Sequence, residues 1–374
     1  VASRQVSTLE IASLSKELRF LEGFHIDKFY QVDESRFRIK ASSKGEKVNL
    51  GIWLCRYIGR TETITIADKP TNFSIAVRRR ISGFVVDSVV MLNSDRIIEI
   101  KCSKGQETKS VIFEMFGRGN IILCDGSYTI ELAYAPHTFK DRAVKKGATY
   151  APPKNARFTL AAPPTGHDIA EMAKVPDASI ISAISKNFNI GSVYIEDALM
   201  RCGIDPKAPA VSVGEDACGR IAAQIKDLLV FAENPKPRIY SKDGAYLDYG
   251  ICGIMKYEGM EMQEFATVQE MLERYYASIA SETAESAAKQ PNRAAEETRA
   301  SIEKQKAAYL EMQKEIEYSK AAGQKIFQNM DLINRIIAYA REKKKFTKED
   351  IESSFPGIKV IGVDLKDKKI TIDI

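Results

Sequence analysis

The sequence predicts an α+β fold with more than one domain. Strand-like alternation and helical spacing occupy separate stretches, residues 26–133 for the first and residues 166–232 and 267–340 for the second. The length of 374 residues also exceeds what one hydrophobic core usually organises.

A helix is expected first, over residues 9–23. Leu9, Ile11, Ala12, Leu14, Leu18 and Leu21 recur at helical spacing, Ser7 stands where an N-cap belongs and Gly23 follows the end. From residue 26 the period shortens toward two, through Ile26-Asp27-Lys28-Phe29-Tyr30-Gln31-Val32, Arg36-Phe37-Arg38-Ile39-Lys40, residues 48–55 and Thr63-Ile64-Thr65-Ile66. Turns at Asp33-Glu34-Ser35 and residues 42–45 make this an antiparallel meander. Pro70 precedes a second helix at residues 71–81, and strands follow at 85–91, 96–102, 110–116, 120–124 and 128–133. Between them, Asn93-Ser94-Asp95, Gly117-Arg118-Gly119 and Asp125-Gly126 have turn chemistry. Pro152-Pro153 and Pro163-Pro164 then close a first domain, residues 1–165.

Four short helices, at 169–173, 180–188, 194–202 and 216–231, build a second module over residues 166–234. Short strands around Lys242-Asp243-Gly244 give a small connector, residues 235–266. Residues 267–344 are helical, broken at Pro291, and from Ile302 carry a heptad seam: Ile302, Tyr309, Ile316, Gly323, Met330 and Ile337 alternate with Gln305, Met312, Ser319, Ile326, Ile333 and Ala340. Such an apolar seam needs a partner helix, and a dimer through the coiled-coil helix is one way to supply it. Residues 345–374 hold two strands around Lys366-Asp367-Lys368, and a sequence that stops inside the second is expected to be a piece of a longer protein.

Charge is unevenly shared. Residues 1–165 hold 26 Lys and Arg against 17 Asp and Glu, whereas residues 166–374 hold 29 against 33. A basic front module suggests a polyanionic partner, because each cation set beside a phosphate releases condensed counterions. Catalytic constellations are missing: no P-loop, Gly-x-Ser-x-Gly or His-Glu-x-x-His occurs, and His25, His137 and His167 are far apart. The six cysteines form no Cys-x-x-Cys pair, which argues for buried thiols over a zinc site or disulfide framework. No catalytic residue, metal or cofactor is therefore expected. With no apolar run of about eighteen residues and no secretory layout in residues 1–14, a cytoplasmic protein that does not enter membranes is expected.

Four motifs carry donors that could meet an anion. Arg78-Arg79-Arg80 fan out around a short helix, so they form either a solvated face or one or two phosphate contacts. Asp95-Arg96 opens a strand from a turn; such a pair is common in plain turns, yet the guanidinium fork also suits phosphate or base edges. In Phe116-Gly117-Arg118-Gly119-Asn120, Arg118 and Asn120 belong either to a tight hairpin or to a contact surface. Asn189-Ile190-Gly191 between two amphipathic helices has the form of a helix-hairpin-helix, whose turn and second helix offer backbone N–H groups, or equally of simple αα packing.

Taken in order, these segments resemble the NFACT family. The resemblance runs through Glu17-Leu18, Leu21-Glu22-Gly23, His25-Ile26-Asp27-Lys28-Phe29-Tyr30-Gln31, Ser94-Asp95-Arg96-Ile97-Ile98-Glu99-Ile100, Phe116 to Leu123, and Tyr150-Ala151-Pro152-Pro153. It continues in Asn189-Ile190-Gly191, Tyr194-Ile195-Glu196-Asp197, Arg201-Cys202-Gly203-Ile204-Asp205 and Tyr257-Glu258-Gly259.

The resemblance implies a first domain similar to the N-terminal β-sandwich of formamidopyrimidine DNA glycosylases, then a helix-hairpin-helix module, a small β-containing unit and a long coiled-coil helix interrupted by a middle domain. It further implies a ribosome quality control factor. Such a factor binds the large ribosomal subunit that still carries peptidyl-tRNA. It recruits tRNA, alanyl-tRNA above all, so that a C-terminal tail is added without mRNA while the ribosome does the chemistry. The family's Asp-Arg pair falls on Asp95 and Arg96, and its acidic residue in the first helix, usually Asp, falls on Glu10, which keeps the charge with a longer reach. Three rivals follow. A glycosylase-like repair enzyme would need the Pro-Glu start and zinc finger, which Val1-Ala2-Ser3 and the cysteine spacing do not supply. A fibronectin-binding surface adhesin would need an export signal, and a coiled-coil scaffold would leave the basic front unexplained.

Overall fold

The first helix is buried on nearly every side, and the rest of the front half is arranged around it. The structure is a computed structural model that describes residues 4–62, 69–154, 157–289, 293–343, 345–366 and 368–373, apart from the side chains of 281–302, 304 and 308. The expected strand at Thr63-Ile64-Thr65-Ile66, the break at Pro291 and the seam side chain of Ile302 lie outside the described residues. Two units are distinguished, 1–284 and 285–374.

Helix α1 (Thr8–Glu17) begins at Ser7, whose backbone N–H donates to the Glu10 carboxylate at 2.6 Å. A 3-10 turn (Leu18–Leu21) and Gly23 at φ +84° finish the helical segment. The meander follows as β1 (His25–Gln31), β2 (Arg36–Ser43), β3 (Glu46–Trp53) and β4 (Tyr57–Arg60). The last of these was not anticipated, since four residues with a glycine among them leave little alternation to detect. Helix α2 (Asn72–Ile81) leads into β5 (Val85–Met91), β6 (Ile97–Lys104), β7 (Glu107–Glu114), β8 (Asn120–Asp125) and β9 (Ile130–Ala133), and a small pair, β10 (His137–Thr138) and β11 (Ala143–Val144), comes after.

All nine of the first strands join one antiparallel sheet in the order β4-β3-β2-β1-β5-β6-β7-β8-β9. Strands β1 and β5 join the two meanders at the pair His25 and Val85, flanked by backbone bonds from Ile26 N–H to the Phe84 carbonyl at 2.7 Å and from Val86 N–H to the Phe24 carbonyl at 2.9 Å. The sheet folds over, bringing Cys55 of the β3–β4 turn to Gly117 of the β7–β8 turn. Tyr134, just after β9, reaches across to β2, where the Phe37 ring packs edge-on against it at 4.9 Å and its hydroxyl donates to the Glu34 carbonyl at 2.8 Å. Eight of the ten α1 residues are buried, as befits a helix enclosed by neighbours rather than laid on a surface.

Helices α3 (Gly166–Ala173), α4 (Ile180–Asn187), α5 (Ser192–Arg201) and α6 (Glu215–Val230) fall on the four helical stretches expected there. A three-stranded sheet of β12 (Arg238–Lys242), β13 (Ala245–Gly250) and β14 (Glu261–Glu264) follows, then α7 (Val268–Lys289). Glu17 caps α7, accepting from the N–H groups of Val268 at 2.7 Å and Gln269 at 2.9 Å. One continuous apolar core runs from Val6 through Phe113, Ile184 and Ile225 to Tyr276. The segments 1–165, 166–234 and 235–266, expected as separate domains, therefore share it. The proline pairs interrupt secondary structure without dividing the core.

In the second unit, α8 (Arg293–Gln328) and α9 (Met330–Glu342) meet at Asn329, whose side-chain amide donates to the Lys325 carbonyl at 2.9 Å. That break was not expected. Seam residues Tyr309, Met312, Ile316, Ile326, Met330 and Ile337 are exposed. Helix α10 (Lys348–Ser354), also unanticipated, opens with a Thr347–Asp350 capping box and leads to β15 (Lys359–Asp364) and β16 (Lys369–Asp373). Ile336, Ile351, Phe355, Ile358 and Val360 give this unit its own core. Among the described residues, no helix is long and apolar enough to cross a membrane.

Candidate functional site

The β5–β6 turn, the N-terminal arm and the α4–α5 hairpin come together around one cleft of about 330 Å³, lined by Arg4, Gln5, Ser7, Arg96, Asn189 and Gly191 among others. Backbone chemistry fixes each wall. After β5 the chain turns back through Asn93 at φ +58° and Ser94 at φ +46°, residues for which the left-handed region is accessible. The Asn93 amide donates to the Pro153 carbonyl at 2.9 Å, and the Asp95 carboxylate accepts from the Arg96 N–H at 2.7 Å. Asp95 therefore shapes the turn from which Arg96 projects.

The Arg96 guanidinium has loose partners. Its Nη1 donates to the Gln5 side-chain oxygen at 3.4 Å, its Cζ lies 5.8 Å from the Phe116 ring, and its Nε is buried without a hydrogen-bond acceptor. Gln5 in turn donates to the Gly117 carbonyl at 2.9 Å, and the Val6 N–H to the Cys55 carbonyl at 3.0 Å. Gly119 is required for this convergence, since a Cβ there would stand 2.6 Å from Leu54 Cβ. Burial pushes the Cys55 thiol up to about 11 despite Arg96 and Arg56 nearby, so it stays neutral behind the arm.

On the opposite wall, Asn189 is exposed while Ile190 is fully buried as an anchor. Gly191, at φ +105°, begins α5 and touches the start of α1: a Cβ at this position would meet Ser7 Cβ at 2.6 Å. Two helix N-termini thus meet beside Arg96, a setting that favours negative charge.

Glu10 corrects an expectation. Its carboxylate is fully buried, paired with Arg4 Nη2 at 2.9 Å, accepting from Ser7 N–H at 2.6 Å and from the Tyr194 hydroxyl at 2.5 Å. Burial alone would push its pKa up, but the Arg4 charge and these hydrogen bonds outweigh burial and hold the carboxyl below its ordinary range. Arg4 also bonds Asp248 at 2.9 Å, donates to the Tyr249 carbonyl at 2.8 Å and lies 3.9 Å over the Tyr249 ring. The Tyr276 hydroxyl holds the Arg4 carbonyl at 2.7 Å. Glu10 therefore clamps the arm from inside and offers nothing to an external RNA. The signal was present in Ser7-x-x-Glu10, a capping-box spacing that turns the acid back onto its own helix.

Asn120 is a second correction. It is buried, with its oxygen accepting from the N–H groups of Ile121 and Ala135 at 2.9 Å each and its amide donating to the Ala135 carbonyl at 3.0 Å. Arg118 is exposed at the tip of the same turn. The arginine triplet does not line the cleft: Arg78 donates to the Phe29 carbonyl at 2.5 Å, Arg80 to the Ala76 carbonyl at 2.9 Å, and Arg79 is exposed. Arg4, Gln5 and Ser7 are cleft residues that sequence reasoning missed. Among the described residues, no three His, Cys, Asp or Glu side chains are grouped to hold a metal ion.

Residues 7–371 match the model of the NFACT N-terminal and middle domains. An archaeal Rqc2 homolog, aRqcH of Methanocaldococcus jannaschii, is 23% identical over 95% of this chain and 56% of its own length. The ribosome quality control complex subunit NEMF homolog of Drosophila melanogaster is 30% identical over 35% of this chain and 14% of its own. The chain thus spans about half of the archaeal relative and a smaller share of the fly protein. In fold it is similar to the crystal structure of the fibrinogen binding protein from Staphylococcus aureus, with a TM-score of 0.59 at 19% identity over 72% of this chain and 98% of that one.

Proposed function

The chain belongs to the family of NFACT N-terminal and middle domains, and from that premise we propose that it acts in ribosome quality control as a tRNA-binding and ribosome-binding element with no bond chemistry of its own. The relatives named as ribosome quality control factors support the general role. The finer reading is that the basic front binds tRNA on a large ribosomal subunit carrying peptidyl-tRNA, in the cytoplasm. There it helps recruit aminoacyl-tRNA, alanyl-tRNA foremost, for tail addition without mRNA.

One observation carries this reading: Arg96, with a buried and unsatisfied Nε, faces a cleft where two helix N-termini and the Asn189 hairpin converge. Phosphate oxygens would supply the missing acceptor, and a helix N-terminus suits them without further groups. Asp95 orients this site and Glu10 clamps its arm, while Arg118 and Arg79 are free to add outer phosphate contacts. The exposed seam of α8 takes a partner helix, and for this chain by itself a second copy fills that role.

The test is tRNA filter binding by an Asp95→Ala, Arg96→Ala double variant. Each lost specific contact costs about 1–3 kcal/mol of affinity, with the melting curve preserved. Unchanged tRNA affinity would remove the site assignment, and a wild-type protein indifferent to tRNA and large subunits at low salt would remove the function.

A further inference from the structure

A second cavity, of about 270 Å³, lies away from the cleft, between the outer face of β2–β4 and helix α7. Its lining is chemically mixed in an ordered way. Trp53, the single tryptophan of the chain, is half-buried along one side, with Arg56 at 4.6 Å and Arg36 at 5.7 Å from its ring and Tyr276 at 5.8 Å. Gly51 carries no side chain, and the Thr61 methyl and the Tyr57 ring stand over it, 2.9 Å and 3.5 Å from where a Cβ would lie, so side chains of β4 and its flank form the floor.

The two ends of the cavity differ in charge. At one, Arg38 is only 5% exposed, donates from Nη1 to Asn49 at 3.1 Å and keeps a buried Nε with no hydrogen-bond acceptor. Arg36 stands beside it, bonded to Asp33. At the other is Glu273 on α7, whose carboxyl burial pushes up, and which bonds Thr61. A buried arginine nitrogen without an acceptor costs stability unless something fills the place, so this wall is built for an anionic oxygen.

We propose that this cavity binds one unpaired nucleotide, its base lying along Trp53, its phosphate at Arg36 and Arg38, and an exocyclic amine of the base donating to Glu273. An indole and guanidinium planes are the surfaces on which unstacked bases settle, and the volume suits a single residue rather than a strand. That the nucleotide belongs to a bound RNA rests on the function proposed above; the cavity's chemistry does not. The Glu273 acceptor favours adenine, cytosine and guanine over uracil, which has no amine.

Because Trp53 is the sole tryptophan, its fluorescence reports this cavity. The protein is titrated with AMP, CMP, GMP and UMP and with short single-stranded RNA, each corrected for absorbance with a free tryptophan analogue. Saturable quenching by AMP is expected, weaker quenching by UMP, and a preference that Glu273→Gln levels. Arg36→Gln weakens binding by about tenfold, the worth of one charge-assisted hydrogen bond. Ala277→Leu fills the cavity from an exposed helix position and abolishes the quench without threatening the fold. Competition by RNA assigns the nucleotide to a strand, and saturation by mononucleotides alone assigns it to the free pool. No saturable quench, or a quench that Ala277→Leu leaves intact, overturns the proposal while the tRNA filter assay stands or falls separately.

Discussion

The arm and the β5–β6 turn each present an acid and an arginine, and the structure uses them in opposite ways. Arg4 and Glu10 form a closed set: both Glu10 oxygens accept hydrogen bonds, Arg4 Nε and Nη2 are paired, and four elements contribute to it, the arm, α1, Tyr194 of α5 and Tyr249 of β13. Asp95 and Arg96 are left half-open, with the acid spent on its own turn and the guanidinium held by one 3.4 Å contact. Low dielectric makes the first pair expensive to break, while solvent and an unfilled cleft leave the second free to exchange partners. The difference separates a residue that builds a site from one that can act in it.

Breaking the closed pair should give the largest effect. Glu10→Ala strands the Arg4 charge beside Asp248 alone and should cost about 3–5 kcal/mol, read as a fall in the urea midpoint with an unchanged slope. The Asp95 and Arg96 double variant tests the open pair: tRNA affinity drops while stability moves by no more than about 0.5 kcal/mol. A double variant that melted as early as Glu10→Ala would erase the distinction.

Legibility in the sequence followed the same divide. Helices α3–α6 and strands β5–β9 were readable because periodicity and turn residues such as Asn93, Gly117 and Gly126 agree with the fold at short range. Strand β4, helix α10 and the Asn329 break are too short or too dependent on one side chain to leave a period. Asp95 and Arg96 stood out only through the family resemblance, since the dipeptide by itself reads as an ordinary turn. Glu10 and Asn120 were misplaced because residue type announces hydrogen-bonding capacity but not which side of the surface it serves. Arg4, Gln5 and Ser7 join the cleft only after the sheet folds over and brings Cys55 and Gly117 to the arm.

Acid titration sharpens the comparison within α1 itself. Glu10 has a folded pKa below its ordinary 4.5, so the stability it contributes is complete above that value and is lost as pH falls through the depressed one. Glu17, capping α7, is raised from 4.5 because burial outweighs the Val268 and Gln269 bonds. Ionised Glu17 therefore costs stability relative to its protonated form, and that cost is relieved as pH falls through the raised folded value toward 4.5. Melting curves of wild type and Glu17→Gln should approach each other or cross in that window, whereas the advantage of wild type over Glu10→Gln should persist through it and shrink only below. Parallel curves for both variants would mean that the two carboxyls share one environment.

The smallest expected effect is at Arg118, beside Asn120 in one turn. Asn120 makes three hydrogen bonds inside the sheet, so Asn120→Ala should lower stability by about 1–3 kcal/mol. Arg118 is exposed between two positive-φ glycines, and Arg118→Ala should leave melting within about 0.5 kcal/mol of wild type. If Arg118 lies on a phosphate of bound tRNA, its removal lowers the slope of log affinity against log salt by about one, uniformly across tRNA sequences. An unchanged slope would confine the RNA contact to the cleft and leave the tip of this turn as solvent-facing structure.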